Sequence, residues 1–293
     1  MGIILDYEKY EKMRKAEFFE KEGEYVRCLL CPHKCRIGEE KTGACSARRN
    51  RNGTLFTENY GRISSIALDP IEKKPFHRFF PGAKILSVGS YGCNMTCAFC
   101  QNYSISQMTP PLTFMGPEEL AQTALSVPRN VGVAFTYNEP LIGIEYIMDA
   151  APLIHQAGLK VALVTNGMIL EDPLSAILPL VDAMNIDLKA FSTDFYEKHN
   201  GSLETVKRTI ETCARTCHVE VTTLVIPGEN DGLDEMDALA AWLSAVSPDI
   251  PLHATRFFPR YKMSEKEPTD REKIFELVSV ARGRLKHVYA GNL

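Results

Sequence analysis

Seven of the nine cysteines in this 293-residue sequence fall into two tight groups. The second group, in SYGCNMTCAFCQN, spaces Cys93, Cys97 and Cys100 as Cys-x3-Cys-x2-Cys. Three thiolates this close can bind three corners of an iron–sulfur cubane, for which soft sulfur is a suitable donor. A cubane has four iron corners, so one is left without a protein ligand and can chelate the amino and carboxylate groups of a substrate. The same open position separates catalytic from structural zinc sites. A zinc site or reduced core thiols are the other readings of this spacing. The first group, CLLCPHKCRIGEEKTGAC, holds Cys28, Cys31, Cys35 and Cys45. Four thiolates make a full set for tetrahedral zinc or for a fully ligated second iron–sulfur cluster, with His33 as a substitute ligand. The segment is poor in core formers, so a bound metal would supply much of its folding energy; free thiols in a packed loop are the alternative. Cys213 and Cys217 lie one helical turn apart and read as core residues or a bystander pair.

The elements that must position these groups come from the hydrophobic pattern. Apolar, β-branched runs at 84–90, 131–137, 160–166, 183–189, 218–226 and 252–258 alternate with helix-period segments, and HVYAGN offers a seventh strand. Such spacing predicts successive βα units and a parallel sheet. Several runs are almost continuously apolar, as a sheet covered on both faces requires. Pro117, Asp172 and Asp234 stand where helices should start. The fold class is therefore α/β, and six units suit a partial, open (β/α)6 parallel barrel rather than a closed one of eight strands. Residues 84–293 form this barrel; residues 1–83 lack the alternation and read as a cysteine-containing N-terminal extension. In folds of this class the site forms at the carboxyl ends of the strands. The cysteine loop, Asn138-Glu139, Thr165-Asn166 and the pair Asp187 and Lys189 all fall there, so one pocket can hold them.

The formal net charge is -4, which argues against nucleic-acid binding through global charge. No apolar run approaches the roughly 20 residues of a membrane span. The charged, amphipathic N-terminus lacks the apolar centre of a secretory signal. A cytoplasmic protein is expected, and in a reducing compartment clustered cysteines favour metal over disulfides.

The three-cysteine loop, with Phe99 before its last cysteine, resembles the signature of the radical S-adenosylmethionine (SAM) superfamily. CPHKCRIG, DPIEKKPFHRFFPG, YGCNMTCAFCQNYSISQ, TYNEP, VTNG, NIDLKAF and TRFFP together span nearly the whole chain. That set resembles the radical SAM protein of the AmmeMemoRadiSam system, a group similar to pyruvate formate-lyase-activating enzymes. The resemblance implies a [4Fe–4S] cluster on Cys93, Cys97 and Cys100, at which SAM is cleaved reductively to a 5′-deoxyadenosyl radical that abstracts hydrogen. It implies an electron donor such as a flavodoxin or ferredoxin, and a protein substrate that yields a backbone glycine hydrogen.

For the SAM site it implies Glu139, with Asn138 assisting, on the methionyl ammonium. TYNEP departs from the glycine-rich form of that motif. Asp187 would meet a ribose hydroxyl and Lys189 the methionyl carboxylate, as in the Asp-x-Lys of glycyl-radical activating enzymes. Thr165 and Asn166 would face the site, Val225 and Ile226 would lie against adenine, and His253 and Arg256 would reach ribose or substrate. Asp69, Glu72, Lys73 and Lys74 would line the cluster, dock a partner or form a solvated turn. Relatives in that group often continue into a cysteine-rich tail, whereas this sequence ends at YAGNL, so what the tail adds is expected to be absent or dispensable.

The competing reading is a non-catalytic iron–sulfur or zinc module, an electron carrier or a sensor. It would hold metal, leave SAM uncleaved and tolerate loss of Lys189.

Overall fold

The computed structural model describes residues 14–293; the start of the amphipathic N-terminal stretch lies outside the described residues. Eight short strands come first: β1 (Arg14–Lys15), β2 (Phe19–Glu22), β3 (Tyr25–Cys28), β4 (Arg36–Ile37), β5 (Arg48–Arg51), β6 (Thr54–Thr57), β7 (Arg62–Ile63) and β8 (Ser65–Pro70). β1, β6 and β5 form one small antiparallel sheet, and β2, β3 and β4 another.

From Lys84 the chain alternates strand and helix. In order come β9 (Lys84–Gly89), α1 (Tyr103–Ser106), β10 (Thr113–Phe114), α2 (Pro117–Ser126), β11 (Asn130–Phe135), α3 (Ile144–Gln156) and β12 (Lys160–Thr165). After these come α4 (Glu171–Ile177), β13 (Ala183–Asp187), α5 (Thr193–Lys198), α6 (Leu203–Cys213), β14 (His218–Val225), α7 (Leu233–Val246), β15 (Leu252–Arg256), α8 (Arg271–Arg282) and β16 (Val288–Gly291). All six anticipated strands form, and HVYAGN contributes the seventh.

The main sheet runs β16-β15-β14-β13-β12-β11-β9-β8. Its seven strands from β9 to β16 are mutually parallel, and β8 joins antiparallel to β9. The edge strands β8 and β16 do not pair with each other, so the barrel stays open, as a (β/α)6 count requires. The helices begin where local chemistry favours it. Pro117 opens α2 ahead of Glu118 and Glu119, while Ser202 and Asp270 accept backbone N–H groups at the starts of α6 and α8.

The segment after β8 departs from its sequence reading. Asp69, Glu72, Lys73 and Lys74 do not border the cavity at the carboxyl end of the sheet; Lys73 stays exposed, while Ile71, Lys74 and Phe76 are buried as residues 71–80 cross the floor of the barrel. Ala134, Ala162 and Ala183 stand at matched positions on three neighbouring strands, and their small side chains leave room for Ile71 and Phe76. The Pro75 carbonyl accepts from Asn185 on β13. The N–H groups of His77 and Arg78 donate to Glu220 on β14. The His77 ring packs on His253 of β15 and Tyr289 of β16. The floor is thus laid from one edge of the sheet to the other.

Candidate active site

At the carboxyl end of the sheet lies a cavity of about 270 Å³. Cys93, Cys97, Phe99, Cys100, Asn138, Glu139, Thr165, Asn166, Asp187 and Lys189 all border it. Residues that are far apart in sequence meet there because parallel strands bring their carboxyl ends to one side.

The cysteine loop leaves β9 and is tied down on several sides. Gly92 has φ +86°, and a Cβ there would stand 2.5 Å from the Cys45 carbonyl oxygen, so only glycine lets the loop approach the N-terminal extension this closely. His33 bonds the Asn94 carbonyl at 2.6 Å rather than joining the four N-terminal thiols. On the far side Gln101 donates to the Phe258 carbonyl and Lys262 N–H to that of Ala98. The sulfur of Cys93 receives two N–H groups, from Met95 at 3.4 Å and Asn166 Nδ2 at 3.6 Å, the environment of a thiolate ligand. Burial pushes the Cys97 thiol up to about 11 and the Cys93 thiol well above its ordinary value. A metal must therefore displace protons as it binds.

Among the described residues, no group of three or more His, Cys, Asp or Glu is placed to hold a single metal ion. In a cubane each thiolate binds its own iron at a separate corner, so its sulfurs stand wider apart than those around one ion. Cys28, Cys31, Cys35 and Cys45 likewise form no such single-ion group among the described residues. They do act on one another, since Cys28, Cys45 and Cys35 add to the burial that raises the Cys31 thiol to about 12. None of the nine cysteines is in a disulfide.

Glu139 is buried and accepts from Leu141 N at 3.0 Å, Thr165 Oγ1 at 2.6 Å and Asn166 N at 2.8 Å. Burial nevertheless lifts its pKa to about 7, against those three donors. Among the described residues it has no ion-pair partner. Lys189 Nζ lies 2.8 Å from Asp187 and 5.9 Å from the centre of the Phe99 ring. Burial works against its charge, but Asp187 and Cys97 outweigh that and hold its pKa above the ordinary lysine value. β13 ends at Asp187, so Lys189 reaches the cavity from the turn beyond the strand. Asn138 is occupied structurally: its Nδ2 donates to the Tyr91, Gly92 and Glu139 carbonyls, and its Oδ1 accepts from Ser90 N. It braces the cysteine loop.

Four anticipated residues do not border the cavity. Val225 and Ile226 are fully buried, whereas Thr222 and Leu224 border the site. Strand alternation gives 222 and 224 one face and 223 and 225 the other. His253 is the second residue of β15, near the floor, where its Nε2 lies 2.6 Å from Glu220. Arg256 ends β15 but turns its guanidinium to the Thr269 carbonyl and the Phe258 ring, and Thr255 borders the cavity instead. Sequence reasoning also missed Met95, Tyr137 and Gln107 on the cavity wall. Proximity to the cysteine and TYNEP motifs was the available signal for them.

The family profile of the Radical SAM superfamily matches residues 87–243, more than half of the chain. An uncharacterized protein of Methanocaldococcus jannaschii is 38% identical over 296 residues, covering 96% of this chain and 86% of its own. Among solved structures, a radical SAM methyltransferase from Sphaerobacter thermophilus is similar with a TM-score of 0.55 and 13% identity, over 99% of this chain and 81% of that one. SuiB of Streptococcus suis, bound to S-adenosylmethionine, is similar at 0.54 with 11% identity, over 69% and 48%. At such identities these two structures speak for the fold alone. The profile match over more than half of the chain and three thiols at the mouth of a parallel partial barrel agree: the chain belongs to the radical SAM superfamily, whose chemistry is the reductive cleavage of S-adenosylmethionine at a [4Fe–4S] cluster.

Proposed function

We propose that this protein generates a radical from S-adenosylmethionine in order to take hydrogen from a protein partner, in the manner of a glycyl-radical activating enzyme. The carrying observation is that one cavity gathers all three loop thiols with Glu139 and the Asp187–Lys189 pair. Cys93, Cys97 and Cys100 would hold the cluster, which when bound supplies the electron that breaks the sulfonium bond. Glu139, buried without a counter-charge, would accept the methionyl ammonium in a charge-assisted hydrogen bond. Lys189 would meet the methionyl carboxylate, and Asp187 a ribose hydroxyl. Thr165 and the Asn166 N–H hold the Glu139 carboxylate in place for that contact. Phe99 and the walls of the cavity keep water and stray hydrogen donors away.

A protein partner would reach the cavity at the carboxyl end of the sheet, where an extended backbone segment can enter. The resemblance to the AmmeMemoRadiSam group points the same way, and a flavodoxin or ferredoxin would deliver the electron.

The test is anaerobic reconstitution with iron and sulfide, then reductant and SAM, with products read by mass spectrometry. The expected product is 5′-deoxyadenosine, and Cys97→Ala should lose both cluster absorbance and product. Deuterium passing between a candidate partner and the nucleoside would identify the substrate. Iron bound with SAM left intact would instead favour the electron-carrier reading.

A further inference from the structure

Tyr137 holds a backbone conformation that its side chain disfavours. Its φ is +72°, and the Asn138 N–H donates to the Thr136 carbonyl at 3.0 Å across it. A hydrogen bond from residue i+2 to i around a positive-φ residue makes the rare, strained form of γ-turn. Such strain persists only where the surroundings over-determine it, and here they do.

The Tyr137 hydroxyl donates to Asp69 Oδ2 at 2.9 Å. Lys74 Nζ lies 2.8 Å from the same oxygen and 4.3 Å from the centre of the Tyr137 ring. Lys74 is 5% exposed and Asp69 is half-buried, so the lysine end of this ion pair is shielded from solvent. The other side of Tyr137 rests on Gly89, where a Cβ would come within 2.8 Å of the ring and 3.0 Å of the Tyr137 Cβ. Finally, the Tyr137 carbonyl accepts from Asn102 Nδ2 at 2.8 Å. Asn102 follows Cys100 by two residues, so the strained turn is bonded directly to the cysteine loop. Thr136, Tyr137, Asn138 and Glu139 all border the cavity.

We propose that Tyr137 is a positioning residue, clamped by the Asp69–Lys74 pair so that its γ-turn holds the Glu139 rim and the cysteine loop in the register that S-adenosylmethionine binding needs. This rests on the reading that SAM occupies this cavity. It gives the DPIEKKP segment a role at the site at one remove: Asp69 and Lys74 do not border the cavity but fix the residue that aligns both rims. The strain that a glycine would not incur at this positive φ is offset by the clamp. When the clamp is released, the turn relaxes to negative φ, the carbonyl leaves Asn102, and the two rims move independently.

The variant of choice is Tyr137→Phe, which removes one hydroxyl and leaves Asp69 paired with Lys74. Tyr137→Gly is its counterpart, because it accepts the positive φ but cannot be clamped. In anaerobically reconstituted protein, both should raise the SAM dissociation constant about tenfold. Both should also weaken the change that SAM produces in the electron paramagnetic resonance spectrum of the reduced cluster. Amide hydrogen exchange over residues 101–107 and 136–141 should accelerate in step, while the thermal midpoint of Tyr137→Phe stays near that of the parent. Dissociation constants within twofold of the parent in both variants overturn the proposal, and so does faster exchange with unchanged SAM binding. Wild-type binding by Tyr137→Gly alone overturns the clamp. If the parent itself fails to bind SAM, the reading of the cavity falls, a result distinct from equal binding by parent and variants.

Discussion

At the scale of single residues, Glu139 shows most plainly what the cavity is built for. Three donors converge on a carboxylate that has no cationic partner among the described residues, and burial still raises its pKa from 4.5 to about 7. In cluster-free, ligand-free protein the folded state therefore binds a proton that the unfolded state has released, throughout the window between those values. Stability should fall as pH rises from about 4.5 to about 7, by a total of about 3 kcal/mol. Denaturant titrations of Glu139→Gln across that window should lack this slope. A cation-bearing ligand supplies the missing counter-charge. Removing a charge-assisted bond worth about 1.5–3 kcal/mol should then weaken SAM binding by at least about tenfold in the same variant, measured by equilibrium dialysis.

At the scale of elements, the floor shows how a charged group can be buried safely. The Glu220 side chain is fully buried and accepts from His77 N, Arg78 N and the rings of His218 and His253. Burial alone would raise its pKa, but the two histidines and two backbone donors pull it down to about 2. The stability it contributes is complete above about 4.5 and is lost as pH falls from there towards 2. Acid titration monitored by circular dichroism should show this loss in the parent. Glu220→Gln should be about 3 kcal/mol less stable at pH 7 and should lose less stability than the parent across that acid window. The floor segment would then detach from β14, opening the end of the barrel opposite the site.

At the scale of the whole molecule, the extension and the barrel share one core. Ala16, Val26, Leu30, Ala47 and Leu55 belong to the same buried cluster as the apolar residues of β9 to β15. Arg48 on β5 forms a buried ion pair with Glu145 on α3, to which Thr57 also donates. The Leu170 N–H donates to the Leu30 carbonyl. Breaking such a pair costs far more than an exposed one, because it strands a buried charge. Differential scanning calorimetry should accordingly show a single transition with matching calorimetric and van't Hoff enthalpies. Two resolved transitions would mean that the extension folds independently.

The amino-acid sequence by itself determined the chemistry and the order of the elements. Cys-x3-Cys-x2-Cys needs no tertiary knowledge to suggest a cluster with one open corner. Continuous β-branched runs separated by helix-period segments leave little choice but a parallel sheet. That sheet in turn brings Glu139, Thr165, Asn166, Asp187 and Lys189 to one end. These features are local, or follow from local periodicity repeated along the chain. Only the tertiary structure decided the rest. Val225 and Leu224 differ by one step of strand alternation, and pairing register alone tells which faces the cavity. His253 reads as a site residue until its distance from the start of β15 places it on the floor. DPIEKKPFHRFF looks like a charged surface loop because neither the space left by Ala134, Ala162 and Ala183 nor the partners Tyr137 and Glu220 lie near it in sequence. A group's surroundings depend on contacts across many tens of residues, and no short window of sequence contains them.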